Sequence, residues 1–173
     1  MSRKGKFGTV DITVKGSKLK VGDMAPNFKA DNMDLSPYDF YEAEEGKIKI
    51  LSVVPSLDTD VCELQTKLFQ RAAENFSDNI VVVTISNDLP FAQSRFKRVK
   101  KADNIKFVSD YNTRDFSEKY ATLIEELKLQ NRSVFVVDKD NTVKFVNYLD
   151  QNTDLPEYSE AIDAAISLEK EQE

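Results

Sequence analysis

From residue 48 onward the chain alternates between short apolar runs and segments in which apolar and polar residues are mixed. Residues 48–54 (IKILSVV) and 80–85 (IVVVTI) are almost continuously apolar. Runs of this length and composition are typical of strands that are buried on both faces of a sheet. Shorter strands are predicted at 105–110, 134–137 and 143–148. The turn-forming residues DKDN between the last two runs predict that these two strands pair as an antiparallel hairpin.

Apolar residues spaced three and four positions apart predict helices between these strands. The first helix begins near residue 60, and its apolar face is predicted to consist of Val61, Leu64, Leu68, Ala72 and Phe76. A second helix is predicted to begin at Pro90, because proline suits the first turn of a helix. A third helix is predicted to carry Phe116, Tyr120 and Leu123 on one face. The last helix has an apolar stripe formed by Tyr158, Ala161, Ile162, Ala165, Ile166 and Leu168.

The N-terminal segment alternates apolar and polar residues and predicts a short hairpin. Its apolar positions are Phe7, Val10, Ile12 and Val14, around Gly8, and the pattern ends at Gly16. The remaining elements follow the order strand, helix, strand, helix, strand, helix, strand, strand, helix, which is the order of a thioredoxin-like domain. We therefore predict an α/β protein with a central mixed sheet flanked by helices and an N-terminal β-hairpin extension. A length of 173 residues fits a single domain over residues 1–173.

The composition of the chain excludes some kinds of binding partner. The chain has 24 Lys plus Arg and 30 Asp plus Glu, a formal net charge of -6. An acidic protein is a poor ligand for the phosphate backbone, so we expect no nucleic-acid partner. The N-terminal sequence lacks the apolar run of a signal peptide, and no stretch approaches the roughly 18 apolar residues of a membrane span. We therefore expect no membrane association and a cytoplasmic location.

The chain has one cysteine, Cys62, and no histidine. A single cysteine excludes a disulfide within the chain and favours a reducing compartment. The absence of histidine removes the usual general base and the usual zinc ligand, so no metal site is expected. Cys62 follows a buried strand in the first turn of the predicted helix, where free backbone N–H groups and the helix dipole stabilise a thiolate. The position fits a buried core cysteine equally well, and spacing alone leaves both interpretations open.

Several motifs resemble one family. Pro55, Thr59 and Cys62 match the peroxiredoxin active-site pattern Pro-x-x-x-Thr-x-x-Cys. Residues 86–96 (SNDLPFAQSRF) and 131–138 (NRSVFVVD) resemble segments of the bacterial thiol peroxidase branch of that family. Together with the hairpin and the closing LPEYSEAIDAAISL, the resemblance covers nearly the whole chain.

This resemblance implies a thiol-dependent peroxidase that reduces hydrogen peroxide and small organic hydroperoxides through a thiolate and a sulfenic acid. It implies that Cys62 is the nucleophile and that Thr59 orients the sulfur and the peroxide through its hydroxyl. It also implies that Arg132 holds the thiolate and polarises the peroxide, while Pro55 shields the sulfur from water. No metal or organic cofactor is required, and the resemblance suggests a homodimer. Without the resemblance, Thr59 is better explained as a helix cap and Arg132 as a surface cation at the start of a strand.

Two positions depart from the pattern of this branch. Lys97 stands where most members have a second, resolving cysteine, so oxidised Cys62 must be reduced by an external thiol, either a thioredoxin-like protein or a small thiol. Asp60 stands where relatives commonly have glycine, and with Asp58 and Glu63 it places three carboxylates near the sulfur in sequence. We expect these carboxylates to favour the start of the helix but to oppose the thiolate.

Two other functions fit the same residues. A peroxide sensor or adaptor would use oxidised Cys62 to pass a signal to a partner protein, and it would react once rather than turn over. A structural thioredoxin-fold module would contain an inert cysteine. The basic residues of the second helix are interpreted as a solvated face or, less favourably, as a docking surface for an acidic reductant; they are Arg95, Lys97, Arg98, Lys100 and Lys101.

Overall fold

The computed structural model describes residues 1–172. In chain order its helices are α1 (Phe40–Ala43), α2 (Asp60–Ala73), α3 (Pro90–Lys100), α4 (Asp115–Lys119) and α5 (Tyr158–Glu171). Its strands are β1 (Ser2–Phe7), β2 (Val10–Lys15), β3 (Lys29–Asn32), β4 (Pro37–Asp39), β5 (Ile48–Val53), β6 (Ile80–Ser86), β7 (Lys106–Ser109), β8 (Leu123–Ile124), β9 (Leu129–Gln130), β10 (Ser133–Val137) and β11 (Val143–Tyr148). Over this described range, every helix is too short or too polar to cross a membrane.

The central sheet has seven strands in the order β11-β10-β5-β6-β7-β3-β4. Strands β5, β6 and β7 are parallel, whereas β10, β11, β3 and β4 are added in antiparallel pairs. The predicted mixed sheet is therefore confirmed, and so is the antiparallel hairpin of β10 and β11. The strands β3 and β4 and the short helix α1 were not predicted.

Helices cover both faces of this sheet. Because successive side chains of a strand point to opposite faces, Ile48 and Ile50 of β5 pack in one core and Leu51 and Val53 in the other. The first core also receives buried side chains from α2 and α5. The second core receives Phe40 of α1 and aromatic residues of α4. The arrangement is the predicted thioredoxin-like α/β fold.

Helix α2 buries a different face from the one predicted. Leu64 is 47% exposed, and the other predicted apolar positions of this helix are only partly buried. The buried face instead consists of Cys62, Gln65, Thr66, Phe69, Gln70 and Ala73. The prediction was wrong because it counted apolar side chains alone. The polar members of this face are tolerated in the core because they are hydrogen-bonded there, as Gln65 is to Ser52.

Helix α4 is much shorter than predicted. It ends at Lys119, and Leu123, which was expected on its apolar face, lies in the two-residue strand β8. The buried carboxylate of Asp110 accepts the backbone N–H groups of Phe116 and Ser117 at 2.9 and 3.0 Å. Burial raises the pKa of Asp110, although these hydrogen bonds act against the shift. The start of this short helix is therefore fixed by hydrogen bonds to the carboxylate of Asp110, which precedes the helix in the chain.

The predicted N-terminal hairpin is present and forms β1 and β2. It joins β8 and β9 in a second, four-stranded sheet with the order β1-β2-β8-β9. Lys6 N–H donates to the Asp150 carbonyl at 2.8 Å, which ties β1 to the chain segment before α5. A Cβ atom at Gly5 would lie 2.9 Å from the same carbonyl oxygen, so glycine permits this close approach. The hairpin is thereby anchored beside residues 150–152.

Candidate active site

Cys62 lies in the first turn of α2, the helix that follows the carboxyl end of β5. Thr59 is the N-cap residue, with φ -101° and ψ 150°, and its Oγ1 accepts the Cys62 N–H at 3.3 Å. The Thr59 carbonyl accepts the Glu63 N–H at 3.0 Å and starts the helical hydrogen-bond pattern. These two bonds fix the turn that carries the sulfur. The side chain of Cys62 is fully buried, with 0% of its surface exposed.

Arg132 reaches the sulfur from the neighbouring strand. It immediately precedes β10, and the pairing of Ser133 with Val53 places it beside the end of β5 and the loop that leads to Cys62. Arg132 Nη2 lies 3.1 Å from Cys62 Sγ. The guanidinium is buried, with 1% of the residue exposed. This contact shows that Arg132 is not a surface cation and that a positive charge faces the sulfur.

Each of the three nitrogens of the Arg132 guanidinium has a partner, and Nη2 faces the sulfur. Arg132 Nε donates to the Asn152 carbonyl at 2.8 Å, and Nη1 donates to Gln65 Oε1 at 2.9 Å. Gln65 is itself oriented by donating from Nε2 to Ser52 Oγ at 2.9 Å. Because each guanidinium nitrogen has its own partner, the plane of the group is fixed with Nη2 directed at the sulfur.

Asn152 connects this arginine to the N-terminal hairpin. Its Oδ1 accepts the Arg132 backbone N–H at 2.7 Å. Its backbone N–H and its Nδ2 both donate to the Lys6 carbonyl, at 2.9 and 3.0 Å. The hairpin therefore supports the residue that positions Arg132. Neither Asn152 nor Gln65 is predicted from the sequence, although Gln65 lies three residues after Cys62 on the same helix face.

The other two predicted residues lie in the loop between β5 and α2. Pro55 is buried two residues after the end of β5. The hydroxyl of Thr59 donates to the Ser56 carbonyl at 3.3 Å in addition to accepting from Cys62. The helix-cap geometry of Thr59 is thus present. The loop places Pro55, Thr59 and Cys62 in one segment, and Arg132 approaches that segment from β10.

The acidic residues near Cys62 are less adverse to a thiolate than their sequence positions suggested. Asp58 and Asp60 are exposed to solvent, which screens their charges. Glu63 accepts Lys100 Nζ at 2.8 Å and Lys67 Nζ at 3.2 Å. Hydrogen bonds from Lys100 and then Lys67 hold the pKa of Glu63 below its ordinary value. The charge of Glu63 is therefore balanced locally, while the sulfur itself faces Arg132.

Comparison with known proteins identifies the family. Residues 21–146 match the AhpC/TSA family. The chain belongs to the AhpC/TSA family. A thiol peroxidase of Halalkalibacterium halodurans is 42% identical over 154 residues, covering 89% of this chain and 92% of that protein. A thiol peroxidase of Streptococcus pneumoniae is 43% identical over 157 residues, covering 91% and 95%.

Two solved structures share the fold of this chain. A peroxiredoxin-like protein from Aquifex aeolicus superposes with a TM-score of 0.87 at 33% identity, covering 96% of this chain and 97% of that one. The thiol peroxidase from Chromobacterium violaceum has a TM-score of 0.86 at 20% identity, which shows the fold alone. The predicted family, fold and enzyme class, a peroxiredoxin-type thiol peroxidase, are confirmed.

Proposed function

We propose that this protein reduces hydrogen peroxide and small organic hydroperoxides with Cys62 as the peroxidatic nucleophile. The observation that carries this assignment is the 3.1 Å contact between Arg132 Nη2 and Cys62 Sγ. A buried positive charge beside the sulfur stabilises the thiolate, which is the form that attacks. The positive end of the α2 helix dipole also stabilises the thiolate, because Cys62 lies in the first turn of that helix.

In the first step the thiolate attacks the terminal oxygen of the peroxide ROOH. An S–O bond forms as the O–O bond breaks, the sulfur is oxidised by two electrons to the sulfenic acid, and RO⁻ leaves and takes a proton from water. Arg132 stabilises the charge that builds on the leaving oxygen. Thr59 orients the sulfur and the peroxide from the turn before Cys62, and Pro55 shields the sulfur from bulk water. The burial of Pro55 and the cap position of Thr59 support these roles.

The second step uses a thiol from outside the chain, because Cys62 is the single cysteine. A thiol R′SH attacks the sulfenic acid, forms the mixed disulfide Cys62–S–S–R′ and releases water. A second R′SH attacks that disulfide, releases R′S–SR′ and restores the Cys62 thiol. A thioredoxin-like protein or a small thiol supplies these groups. The dependence on reduced thiols supports a cytoplasmic location.

The protein acts as a homodimer of single-domain chains, with residues 1–173 in each domain. Three apolar side chains at the start and along the outer side of α3 support an interface between two copies; Leu89 is 51% exposed, Phe91 64% and Val99 61%. These side chains lie within one short segment, residues 89–99, and exposed apolar surface is typical of contact sites. Sedimentation velocity of the reduced protein tests the dimer, and a monomer at micromolar concentration would contradict it.

Turnover kinetics of Cys62→Ser test the function. The variant keeps the size of the side chain but replaces the thiolate with a much weaker nucleophile, so we expect no peroxide consumption above background. The wild type should consume peroxide over many cycles with dithiothreitol or thioredoxin as reductant. Consumption limited to one equivalent under every reductant would favour the sensor, and activity retained by Cys62→Ser would contradict the assignment of Cys62.

A further inference from the structure

The guanidinium of Arg3 lies at the far end of a polar network that reaches Arg132. Arg3 belongs to β1 of the N-terminal hairpin. Its Nη2 donates to Asn131 Oδ1 at 2.9 Å and to the Ala121 carbonyl at 2.8 Å. Its Nη1 donates to the Gly16 carbonyl at 3.3 Å. Because arginine can only donate hydrogen bonds, each atom that it contacts in this network must be an acceptor.

Asn131 transmits this constraint, because the orientation of its amide is fixed on both sides. Oδ1 must face Arg3, which only donates, and Nδ2 must face the Leu149 carbonyl, which only accepts, at 2.9 Å. In this orientation Nδ2 also donates to Asn152 Oδ1 at 2.8 Å. Asn131 is 1% exposed and Asn152 0%, so bulk water does not compete for these bonds.

The amide of Asn152 is oriented by the same rule. Its Nδ2 faces the Lys6 carbonyl, which only accepts, and its Oδ1 faces the Arg132 backbone N–H, which only donates. Asn152 Oδ1 therefore receives two hydrogen bonds, one from Asn131 and one from Arg132. The Asn152 carbonyl accepts a further bond from Arg132 Nε at 2.8 Å. A directional path of hydrogen bonds thus runs from the hairpin guanidinium through two amides to the guanidinium beside the sulfur.

We propose that Arg3 is a positioning residue for the oxidation step and that it keeps the Arg132 guanidinium directed at Cys62. It acts through the amides of Asn131 and Asn152, and the inference rests on the proposed function. Without Arg3, the buried Asn131 Oδ1 loses its side-chain donor, and the amide gains from turning away from that place. Such a turn weakens the bond to Asn152 and loosens the backbone at Arg132. The guanidinium then faces the sulfur less often, and oxidation slows.

Arg3→Met tests this role. Methionine keeps an unbranched side chain but removes every hydrogen bond of the guanidinium. The measurement is the second-order rate constant for oxidation of the reduced protein by hydrogen peroxide. We expect this constant to fall roughly fivefold, a limited loss because Asn152 keeps its two bonds to the Lys6 carbonyl. Arg3→Lys restores one donor beside Asn131 Oδ1 and should bring the constant back to within about twofold of wild type.

A double-mutant cycle with Arg132 separates positioning from a general loss of stability. If Arg3 acts through Arg132, its replacement has no further effect once the Arg132 guanidinium is gone. Arg3→Met/Arg132→Ala should therefore be oxidised within about twofold of the rate of Arg132→Ala. A loss of roughly fivefold that persists in the Arg132→Ala background would refute the positioning role.

Two other variants of the hairpin are matched controls. Lys4→Met removes a cation from the next position of β1, where the exposed side chain contacts Thr13. Ile12→Ala removes a buried side chain from the hairpin core but no member of the polar path, so it should lower the unfolding temperature. Both controls should be oxidised within about twofold of the wild-type rate. A control as slow as Arg3→Met would assign the effect to the charge or the stability of the hairpin and overturn the proposal.

If Arg3→Met does not fold, Asn131→Asp carries the comparison. Aspartate keeps an acceptor for Arg3 but replaces the donor to Asn152 Oδ1 with an oxygen. We expect oxidation of this variant to slow by roughly fivefold or more, and the loss should again disappear in the Arg132→Ala background.

The results also distinguish this inference from the proposed function. If wild-type Cys62 forms no sulfenic acid, the proposed function fails. If the wild type is oxidised but Arg3→Met stays within about twofold of its rate, the positioning role of Arg3 is refuted and the function stands.

Discussion

Replacement of Arg132 tests how much of the reaction depends on the charge beside the sulfur. Two full charges separated by 3.1 Å, the distance from Arg132 Nη2 to Cys62 Sγ, interact by about 5 kcal/mol at an effective dielectric constant of about 20. Part of this energy is already present in the reduced enzyme, so only a share lowers the barrier. We expect Arg132→Ala to slow oxidation of Cys62 by roughly 10²- to 10³-fold, equivalent to about 3–4 kcal/mol.

Arg132→Lys separates charge from geometry. Lysine keeps the positive charge, but one ammonium group cannot point at Cys62 Sγ, Gln65 Oε1 and the Asn152 carbonyl in the directions that the guanidinium uses. We expect a smaller loss, roughly tenfold, because the charge remains while its position is no longer fixed. A lysine variant as slow as the alanine variant would show that geometry, rather than charge, is what the site requires.

The assay is the second-order rate constant of oxidation of the reduced protein, measured by competition for limiting hydrogen peroxide. Thermal unfolding must accompany it, since the alanine variant leaves Gln65 Oε1 and the Asn152 carbonyl without their donor, each at a cost of about 1–3 kcal/mol. Arg71→Ala, at an exposed position in the last turn of α2, is the matched control and should change the rate by less than about twofold. A folded Arg132→Ala variant within threefold of wild type would show that the charge beside the sulfur does not lower the barrier to oxidation.

Two other predictions concern the support of Arg132 and the fate of the oxidised sulfur. Asn152→Ala should slow oxidation of Cys62 by roughly tenfold, because the Arg132 backbone N–H loses its acceptor. The control Asn112→Ala, at an exposed position, should leave the rate unchanged. Equal rates for the two variants would contradict the link from the hairpin to Arg132. Without added thiol, intact-mass spectra after peroxide treatment should gain one oxygen and then two or more, with any disulfide joining two chains, and added thiol should suppress the higher oxides. Absence of both adducts and disulfides at peroxide levels that oxidise an ordinary peroxiredoxin would show that Cys62 is not peroxidatic.

The sequence predicted those parts of the fold in which local pattern and tertiary environment agree. Strands β5 and β6 are buried on both faces, and their nearly continuous apolar runs predict this burial directly. The inner face of α2 was missed because Gln65 and Thr66 are polar, and their burial depends on partners that hydrogen-bond them in the folded chain. Leu123 was misassigned because helical spacing continued beyond Lys119, whereas pairing with β2 converts that segment to a strand.

The candidate site was predictable only where a motif carried it. Pro55, Thr59 and Cys62 occupy one short segment, so their spacing was visible, and Arg132 was found through the motif at residues 131–138. Asn152 had no such signal, because its role arises from a contact with Lys6 that spans almost the whole chain. Arg3 had no such signal either, because its contact with Asn131 joins residues far apart in the chain.

The contacts of Arg132 differ in kind from those of Cys62, and the difference bears on repeated turnover. Arg132 is tied through Asn152 to the N-terminal hairpin, and this attachment does not involve the loop before α2. The sulfur, in contrast, is held by the turn that Thr59 caps at the start of α2. Each cycle changes the chemical state of the sulfur, whereas the two contacts of Arg132 with Asn152 involve no atom that reacts. We therefore expect the guanidinium to stay oriented between cycles, so that reorganisation of Arg132 adds little to the barrier of each oxidation.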